Sequence, residues 1–268
     1  MKLSFSTLGC PDWSWTEILD NAQSMGYDGI EIRGIEGEMN IPSIPQFFEE
    51  NISETINELK KRGLCISALD SSAMFHDADN HPKAIEEMKR TMDVAKKLGV
   101  KYVRYFGNNI PDLTKTDETL DIIARGMGEI HKYSEGKDVT PVFEVHGEFD
   151  NAAVFEKLLK KFSHPKFSVL WDIEHTHKVY GDNFRQFLDF IGKYVRHIHV
   201  KDIKKAENGW ELTRIGHGEI PIGKIAAALD GIGFDGYFSL EWEKKWHPEL
   251  EAPEIVFPEY VKYMRNCE

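Results

Sequence analysis

The chain has 268 residues, of which 41% are hydrophobic, and a formal net charge of −12 at pH 7. This is enough apolar material for one large α/β domain or two smaller ones. The acidic balance disfavours nucleic acid as a partner, because binding to a phosphate backbone needs clustered lysine and arginine. No stretch reaches the ~18 apolar residues that a membrane-spanning helix requires, so we expect no membrane association.

The N-terminal residues and the cysteines indicate the cellular compartment. The first residues, MKLSFSTLGCPDWSW, contain too short an apolar run for a signal peptide. Cys10, Cys65 and Cys267 are widely spaced and form no CxxC motif, so neither a disulfide framework nor a cysteine zinc site is indicated. We therefore expect a cytoplasmic protein with reduced thiols.

Short apolar segments alternate along the chain with longer amphipathic ones. Eight of the short segments are predicted strands: 3–8, 29–33, 65–69, 102–106, 142–146, 167–172, 195–200 and 237–242. The residues expected to begin or end the intervening helices are Ser14 with Glu17 as a capping box, Gly26, Gly63, Pro82, Gly99, and Asp150 and Asp182 as N-caps. The alternation indicates repeated β/α units.

Eight such units in 268 residues average about 33 residues each, which suits a (β/α)₈ TIM barrel. A doubly wound open sheet is the alternative. It is disfavoured because the segment after the first strand reads LGCPDW and lacks a GxGxxG motif. No linker or low-complexity segment divides the chain, so we predict a single domain over residues 1–268.

Polar residues occur near the ends of the last four predicted strands. Glu144, Asp172, His199 and Glu241 come from successive strands, and the site of a TIM barrel lies at the carboxyl ends of its strands. Three carboxylates brought together repel one another unless they are protonated or neutralised. One divalent metal ion would neutralise them, and this donor set suits Mn²⁺, Mg²⁺, Co²⁺ or Zn²⁺. Alternatively, lysine and arginine pair with the carboxylates and His199 is a core histidine.

Several stretches carry a family resemblance: SMGYDGIEIR, FEVHGE, LWDIEH, RHIHVKD and GHGEIPIGKIAAALDGIGFDGYFSLEWE. The chain resembles, over essentially its whole length, the xylose isomerase-like TIM-barrel superfamily. That superfamily includes ketose 3-epimerases, hydroxypyruvate isomerase, inosose isomerase and dehydratase, and endonuclease IV. The further metal-binding histidines of endonuclease IV are absent from the corresponding strands and loop, which makes DNA repair an improbable function.

The resemblance implies a metal ion held by Glu144, Asp172, His199 and Glu241. It also implies that Glu144 and Glu241 move protons on either side of a bound sugar, that His175 touches a substrate oxygen, and that the chain forms a homo-oligomer. One departure is Asp150, which stands where the ketose epimerases have a glutamate that contacts the sugar.

The expected function is therefore a divalent-metal-dependent sugar isomerase or epimerase, which moves a proton α to a carbonyl through a metal-stabilised ene-diolate. One alternative is a dehydratase or other lyase acting on a keto-sugar, an inositol derivative or a sugar conjugate. A second alternative is a non-catalytic sugar-binding barrel. The ligand in each case is a small sugar or sugar derivative.

Four further residues are candidates for substrate binding. His146 and Lys201 lie close in sequence to the predicted metal ligands, where each could instead orient a ligand. Arg33 could bind an anionic group or form an ion pair at the barrel rim. Trp13 could stack on a sugar or pack in the core.

Overall fold

The computed structural model describes residues 1–267, and its central feature is a closed barrel of eight parallel strands. The barrel strands are β1 (Lys2–Ser6), β2 (Gly29–Ile32), β3 (Cys65–Met74), β4 (Tyr102–Phe106), β5 (Thr140–Glu144), β6 (Ser168–Asp172), β7 (Val195–Val200) and β10 (Tyr237–Leu240). Their order around the barrel is β1-β10-β7-β6-β5-β4-β3-β2, and β1 pairs with both β10 and β2. The predicted TIM barrel is confirmed.

Helices surround the barrel and follow its strands. They are α1 (Trp15–Met25), α2 (Ile52–Lys61), α3 (His81–Leu98), α4 (Thr116–Ser134), α5 (Ala152–Lys161), α6 (Ile173–Tyr180), α7 (Arg185–Ile191), α8 (Ile222–Gly231) and α9 (Pro253–Arg265). The predicted capping box is present, since Ser14 and Glu17 bond each other's backbone N–H groups. None of the described helices is long and apolar enough to cross a membrane.

Two predicted helix caps are wrong. Asp150 lies in a short 3₁₀ helix, and the N-cap of α5 is the next residue, Asn151, whose side chain accepts from the N–H of Ala153. Asp182 likewise lies in a 3₁₀ turn, and Phe184 precedes α7. At α5 two neighbouring polar residues compete for the cap, and Asn151 is the one with extended backbone directly before the helix.

A two-stranded hairpin follows β7 and was not predicted. Its strands, β8 (Asp202–Ala206) and β9 (Gly209–Thr213), are antiparallel and stand apart from the barrel. Glu207 and Asn208 join the two strands, and the Asn208-Gly209 dipeptide at this turn is a hairpin signal that the sequence carries. The hairpin explains why the interval between the seventh and eighth barrel strands is longer than one ordinary unit.

The barrel strands separate two different environments. Between the strands and the helices lies an apolar layer, in which Phe143 packs edge to face against Tyr105, Phe149 and Phe155. Within the barrel, by contrast, many buried side chains are polar or charged. Burial of the apolar layer stabilises the fold and leaves the interior available for a site.

Candidate metal centre

Four polar side chains meet at the carboxyl ends of consecutive barrel strands. Glu144 ends β5, Asp172 ends β6, His199 is the next-to-last residue of β7, and Glu241 follows β10 directly. All four are buried, and one donor atom from each lies within 4.8 Å of the others. The structure thus brings together the complete set of predicted ligands.

The parallel sheet and the start of α6 fix these side chains. Asp172 and His199 are register partners in the β6–β7 pair. The carboxylate of Asp172 also caps α6 by accepting from the N–H of Glu174 at 2.9 Å. The N–H of Glu241 bonds to the carbonyl of Val200 at 3.1 Å, which continues the β7–β10 ladder. Regular backbone pairing therefore sets the spacing of the cluster.

The ring of His199 has carboxylates on both sides. Its Nδ1 lies 3.0 Å from Oε2 of Glu241 and 3.6 Å from Oε1 of Glu144. Its other ring nitrogen, Nε2, lies 2.7 Å from Oε1 of Glu31. The ring thus has one nitrogen toward the cluster and the other toward the opposite side of the barrel.

Two buried cations contact the carboxylates. Arg104 Nη1 lies 3.2 Å from Glu144 Oε2. Lys201 Nζ lies 3.0 Å from Asp172 Oδ2 and 2.7 Å from Glu241 Oε2. The alternative that these carboxylates form ion pairs is therefore realised in part.

The ion pairs do not satisfy the cluster. His199 Nδ1, Glu144 Oε2 and Glu241 Oε2 are buried and make no hydrogen bond to any of the described residues. The two oxygens lie near Arg104 and Lys201, but these ion pairs do not have hydrogen-bond geometry. Buried polar atoms in folded proteins nearly always have a hydrogen-bond partner, so these three atoms can bind a further one. Carboxylate oxygens with one imidazole nitrogen are a suitable donor set for a divalent ion. The residues present therefore fit a metal ion.

The charges of the cluster follow from its neighbours. Burial raises the pKa of Glu241, but His199 and Lys201 outweigh burial and hold that pKa well below its usual value. Burial also raises the pKa of Glu144, and Arg104 and His199 reverse the shift. For Asp172, burial prevails over Lys201 and raises the pKa to about 6. The two glutamates are therefore the more strongly ionised members.

Two candidate substrate residues lie together beside the cluster. The rings of His146 and His175 are 4.3 Å apart, and His175 Nε2 lies 3.7 Å from Asp172 Oδ2. The side chain of His175 is 19% exposed. Burial, followed by His175, lowers the pKa of His146, and burial, followed by Lys201, lowers the pKa of His175. Both rings are thus favoured in the neutral form, which can donate and accept a hydrogen bond.

The remaining candidates lie in different surroundings. Lys201 is buried among four carboxylates, including Glu243 at 2.6 Å. Arg33 is half-buried, donates to Ser72 Oγ at 2.7 Å, and has a pKa lowered to about 10 by burial and then by Arg104. Trp13 is buried against Phe5 and Phe257. Trp13 therefore has the packing role that the sequence left open.

Two acidic residues deep in the barrel were not predicted as part of the site. Glu31 contacts His199 as described, and Asp70 Oδ2 lies 3.7 Å from Arg104 Nη2. Both side chains are fully buried. The signal for Glu31 was present in the sequence, since a charged residue between Ile30 and Ile32 interrupts an otherwise apolar strand.

The glycine-rich loop after the hairpin is occupied by a side chain of the protein itself. The carboxylate of Asp202 accepts from the backbone N–H groups of Gly216 and Gly218 at 2.9 Å, Ile220 at 3.2 Å and Ile203 at 3.0 Å. Loops after the last barrel strands often bind phosphate through such N–H groups. Here Asp202 uses them.

With fold and site described, the chain can be compared with known proteins. The family model described as xylose isomerase-like TIM barrel matches residues 19–267. The chain therefore belongs to the xylose isomerase-like TIM-barrel family. Among curated proteins it is similar to fructoselysine 3-epimerase of Escherichia coli O157:H7, with 21% identity over 257 residues that cover 90% of each chain.

Solved structures share the fold over nearly the whole chain. A crystal structure of the IOLI protein with a bound zinc atom superposes with a TM-score of 0.79 at 20% identity, covering 98% of this chain and 96% of that one. The structure of the probable 3-DHS dehydratase AsbF from Bacillus anthracis gives a TM-score of 0.77 at 19% identity, with 99% of each chain covered. Relatives of this fold therefore include epimerases and dehydratases.

Proposed function

We propose that the chain is a divalent-metal-dependent isomerase or epimerase of a ketose or a related polyol ketone, with the whole of residues 1–268 as one catalytic domain. Glu144, Asp172, His199 and Glu241 would hold the metal ion. The observation that carries the proposal is the convergence of their donor atoms within 4.8 Å, with unsatisfied atoms on three of them. The epimerase and zinc-containing relatives support it.

When bound, a divalent ion would supply positive charge that stabilises negative charge developing on substrate oxygen atoms. The protein's own residues would move the proton. Glu144 and Glu241 approach the same His199 nitrogen from β5 and from the end of β10. They can therefore face opposite sides of a substrate bound between them, so that one takes the proton and the other returns it.

Each of these glutamates has its own cation, which keeps it ionised and able to accept a proton. Arg104 contacts Glu144, and Lys201 contacts Glu241. Return of the proton to the opposite face of the same carbon would give epimerisation, and return to the neighbouring carbon would give isomerisation. His146 and His175, beside Asp172, are placed to bind substrate hydroxyl groups.

We further propose that the substrate carries no phosphate at the end that faces the glycine-rich loop after the hairpin. In this protein the N–H groups of that loop bond to Asp202, whose carboxylate would repel a phosphate. Substrate hydroxyl groups suit this site, because the neutral histidines and the carboxylates can form hydrogen bonds with them.

Elimination is the second candidate reaction, and the dehydratase among the similar structures favours it. The same proton abstraction leads to loss of a β-hydroxyl when a leaving group lies next to the carbanion. Elimination needs a proton donor close to that hydroxyl, and whichever of Glu144 and Glu241 has taken the proton would return it to the leaving hydroxyl. Formation of an enone that absorbs ultraviolet light would distinguish it from isomerisation.

The test is deuterium incorporation from D₂O into a panel of free and phosphorylated ketoses, with protein loaded with Mn²⁺ or Co²⁺. We expect exchange at one carbon of an unphosphorylated compound, dependent on metal and lost in Glu144→Gln and Glu241→Gln. Exchange that persists after metal removal would contradict the proposal. So would stoichiometric metal binding without exchange or elimination on any compound, which would indicate a binding barrel.

A further inference from the structure

A carboxylate on one side of the barrel joins two histidines on the other. Glu31 lies on β2, and His197 and His199 are alternate residues of β7. Glu31 Oε1 lies 2.7 Å from His199 Nε2, and Glu31 Oε2 contacts His197 Nε2. All three side chains are fully buried. This group of residues lies outside the proposed ligand set except for the shared His199.

The contact crosses the barrel interior. β2 and β7 are separated in the barrel by β1 and β10. Those two intervening strands carry Ser4 and Ser239, which are register partners, and Ser239 is also the partner of His199. Their side chains are small, so the long side chain of Glu31 can reach His199 past them. Larger residues at these two positions would fill that space.

The chemistry of the three groups dictates where the protons lie. An ionised carboxylate only accepts hydrogen bonds, so each Nε2 that contacts Glu31 must carry its hydrogen. A neutral imidazole with its hydrogen on Nε2 has its lone pair on Nδ1. In His199, Nδ1 faces Glu144 and Glu241 and makes no hydrogen bond to the described residues.

We propose that Glu31 is a positioning residue that holds the ring of His199 with its hydrogen on Nε2 and thereby presents Nδ1 as the metal donor. The inference rests on the proposed metal site and adds to it a residue from the opposite half of the barrel. His197 binds the second oxygen of Glu31 and so prevents rotation of the carboxylate. Two-point attachment fixes the ring more tightly than one hydrogen bond does.

A second metal ion between Glu31, His197 and His199 is the competing arrangement, since their donor atoms also lie within 4.8 Å of one another. The separation of 2.7 Å between Glu31 and His199 is that of a direct hydrogen bond, which favours the arrangement without an ion. The number of metal ions bound per chain distinguishes the two. We expect one, and two would overturn the proposal.

The main test compares two substitutions within this buried group. Glu31→Gln replaces the carboxylate by an amide that can no longer accept from both rings. His197→Gln is the matched control, because its amide can still donate to Glu31 and leaves the contact with His199 in place. We expect Co²⁺ affinity to fall about 10- to 100-fold in Glu31→Gln and to stay within about threefold in His197→Gln. Equal losses in both variants, in step with their melting temperatures, would contradict the proposal.

A second readout uses the unmodified protein and does not depend on turnover. Nitrogen-15 NMR of metal-free, histidine-labelled protein reports which ring nitrogen is protonated, and the His199 signals are assigned by their loss in His199→Gln. Hydrogen on Nε2 is expected whether or not Nδ1 is also protonated, and hydrogen on Nδ1 alone would overturn the inference even if Glu31→Gln failed to fold. If unmodified protein binds no Co²⁺, the proposed metal site fails. If it binds and Glu31→Gln binds equally well, only the inference fails.

Discussion

The two faces of the barrel strands are built for opposite purposes, and β7 displays both. His197 and His199 face the interior, where they meet Glu31, whereas Ile198 and Val200 belong to the hydrophobic core. The interior holds buried charges that cost free energy unless they are paired or bind a metal. The outer layer holds the aromatic and aliphatic packing that stabilises the fold. One strand thus serves chemistry and stability through alternate residues.

Two buried histidines show how much the surroundings decide. His131, on α4, packs against Phe162 and Phe167 in the outer layer, and burial, followed by His164, lowers its pKa to about 3. Burial acts in the same direction on His199, but three glutamates outweigh it and raise the pKa of that residue well above its usual value. The same side chain is held neutral in one layer, whereas in the other the carboxylates favour its cation as long as Nδ1 binds no metal ion.

The largest expected effect is on the reaction and lies in the interior. Glu241→Gln should reduce the exchange rate by about 10²–10⁴-fold, because Glu241 is one of the two carboxylates proposed to transfer the proton. Glu243→Gln is the matched control, since Glu243 also contacts Lys201 but is not in the ligand set. We expect it to reduce the rate only a few-fold. Similar losses of rate in both variants would contradict the role proposed for Glu241.

The outer layer should respond in stability rather than in chemistry. Phe155→Ala removes a fully buried ring that contacts Phe143, Phe167 and Phe187. The free energy of unfolding, measured in urea, should fall by about 4 kcal/mol because a cavity remains. Metal affinity of the folded protein should not change. A large drop in metal affinity would show that packing in the outer layer also affects the site inside the barrel.

Removal of a buried cation inside the barrel should affect both stability and the reaction. Arg104→Met leaves Asp70 and Glu144 buried without their shared partner. We expect the free energy of unfolding of the metal-free protein to fall by about 3 kcal/mol. Glu144 should also lose part of its ionisation, so exchange should slow. An unchanged unfolding curve would contradict the view that Arg104 neutralises this pair.

The smallest effect is a dependence of stability on pH in the outer layer. The pKa of His131 is about 3 in the folded protein, below the usual value of about 6.5 expected when unfolded. Below pH 6.5 the unfolded chain binds a proton that the folded chain does not, so stability is lost as the pH falls. Between pH 6.5 and 5.5 this residue should cost about 1 kcal/mol, and His131→Gln should abolish that part of the loss. An equal change in the free energy of unfolding of both proteins between pH 6.5 and 5.5 would contradict the prediction.

The predicted strands correspond closely to the structure, and the predicted ligands lie together in it, because both predictions depend on local patterns. Short apolar segments and helix signals identify eight units, and polar residues at strand ends identify Glu144, Asp172, His199 and Glu241. Failures occur where several local solutions compete. Asn151 rather than Asp150 caps α5, and the segment after β7 folds into a hairpin.

The sequence by itself determined the repeat, the fold class and the polar residues at the ends of the last four barrel strands, because strand periodicity and strand ends are properties of neighbouring residues. Only the tertiary structure decided which distant groups meet those residues. Glu31 reaches His199 from across the barrel, and Arg104 lies between Asp70 and Glu144. Such contacts depend on closure of the barrel, which brings together strands that lie far apart in the chain. The candidate ligands can thus be recognised from local sequence, whereas the residues that orient them and set their ionisation are decided by closure of the barrel.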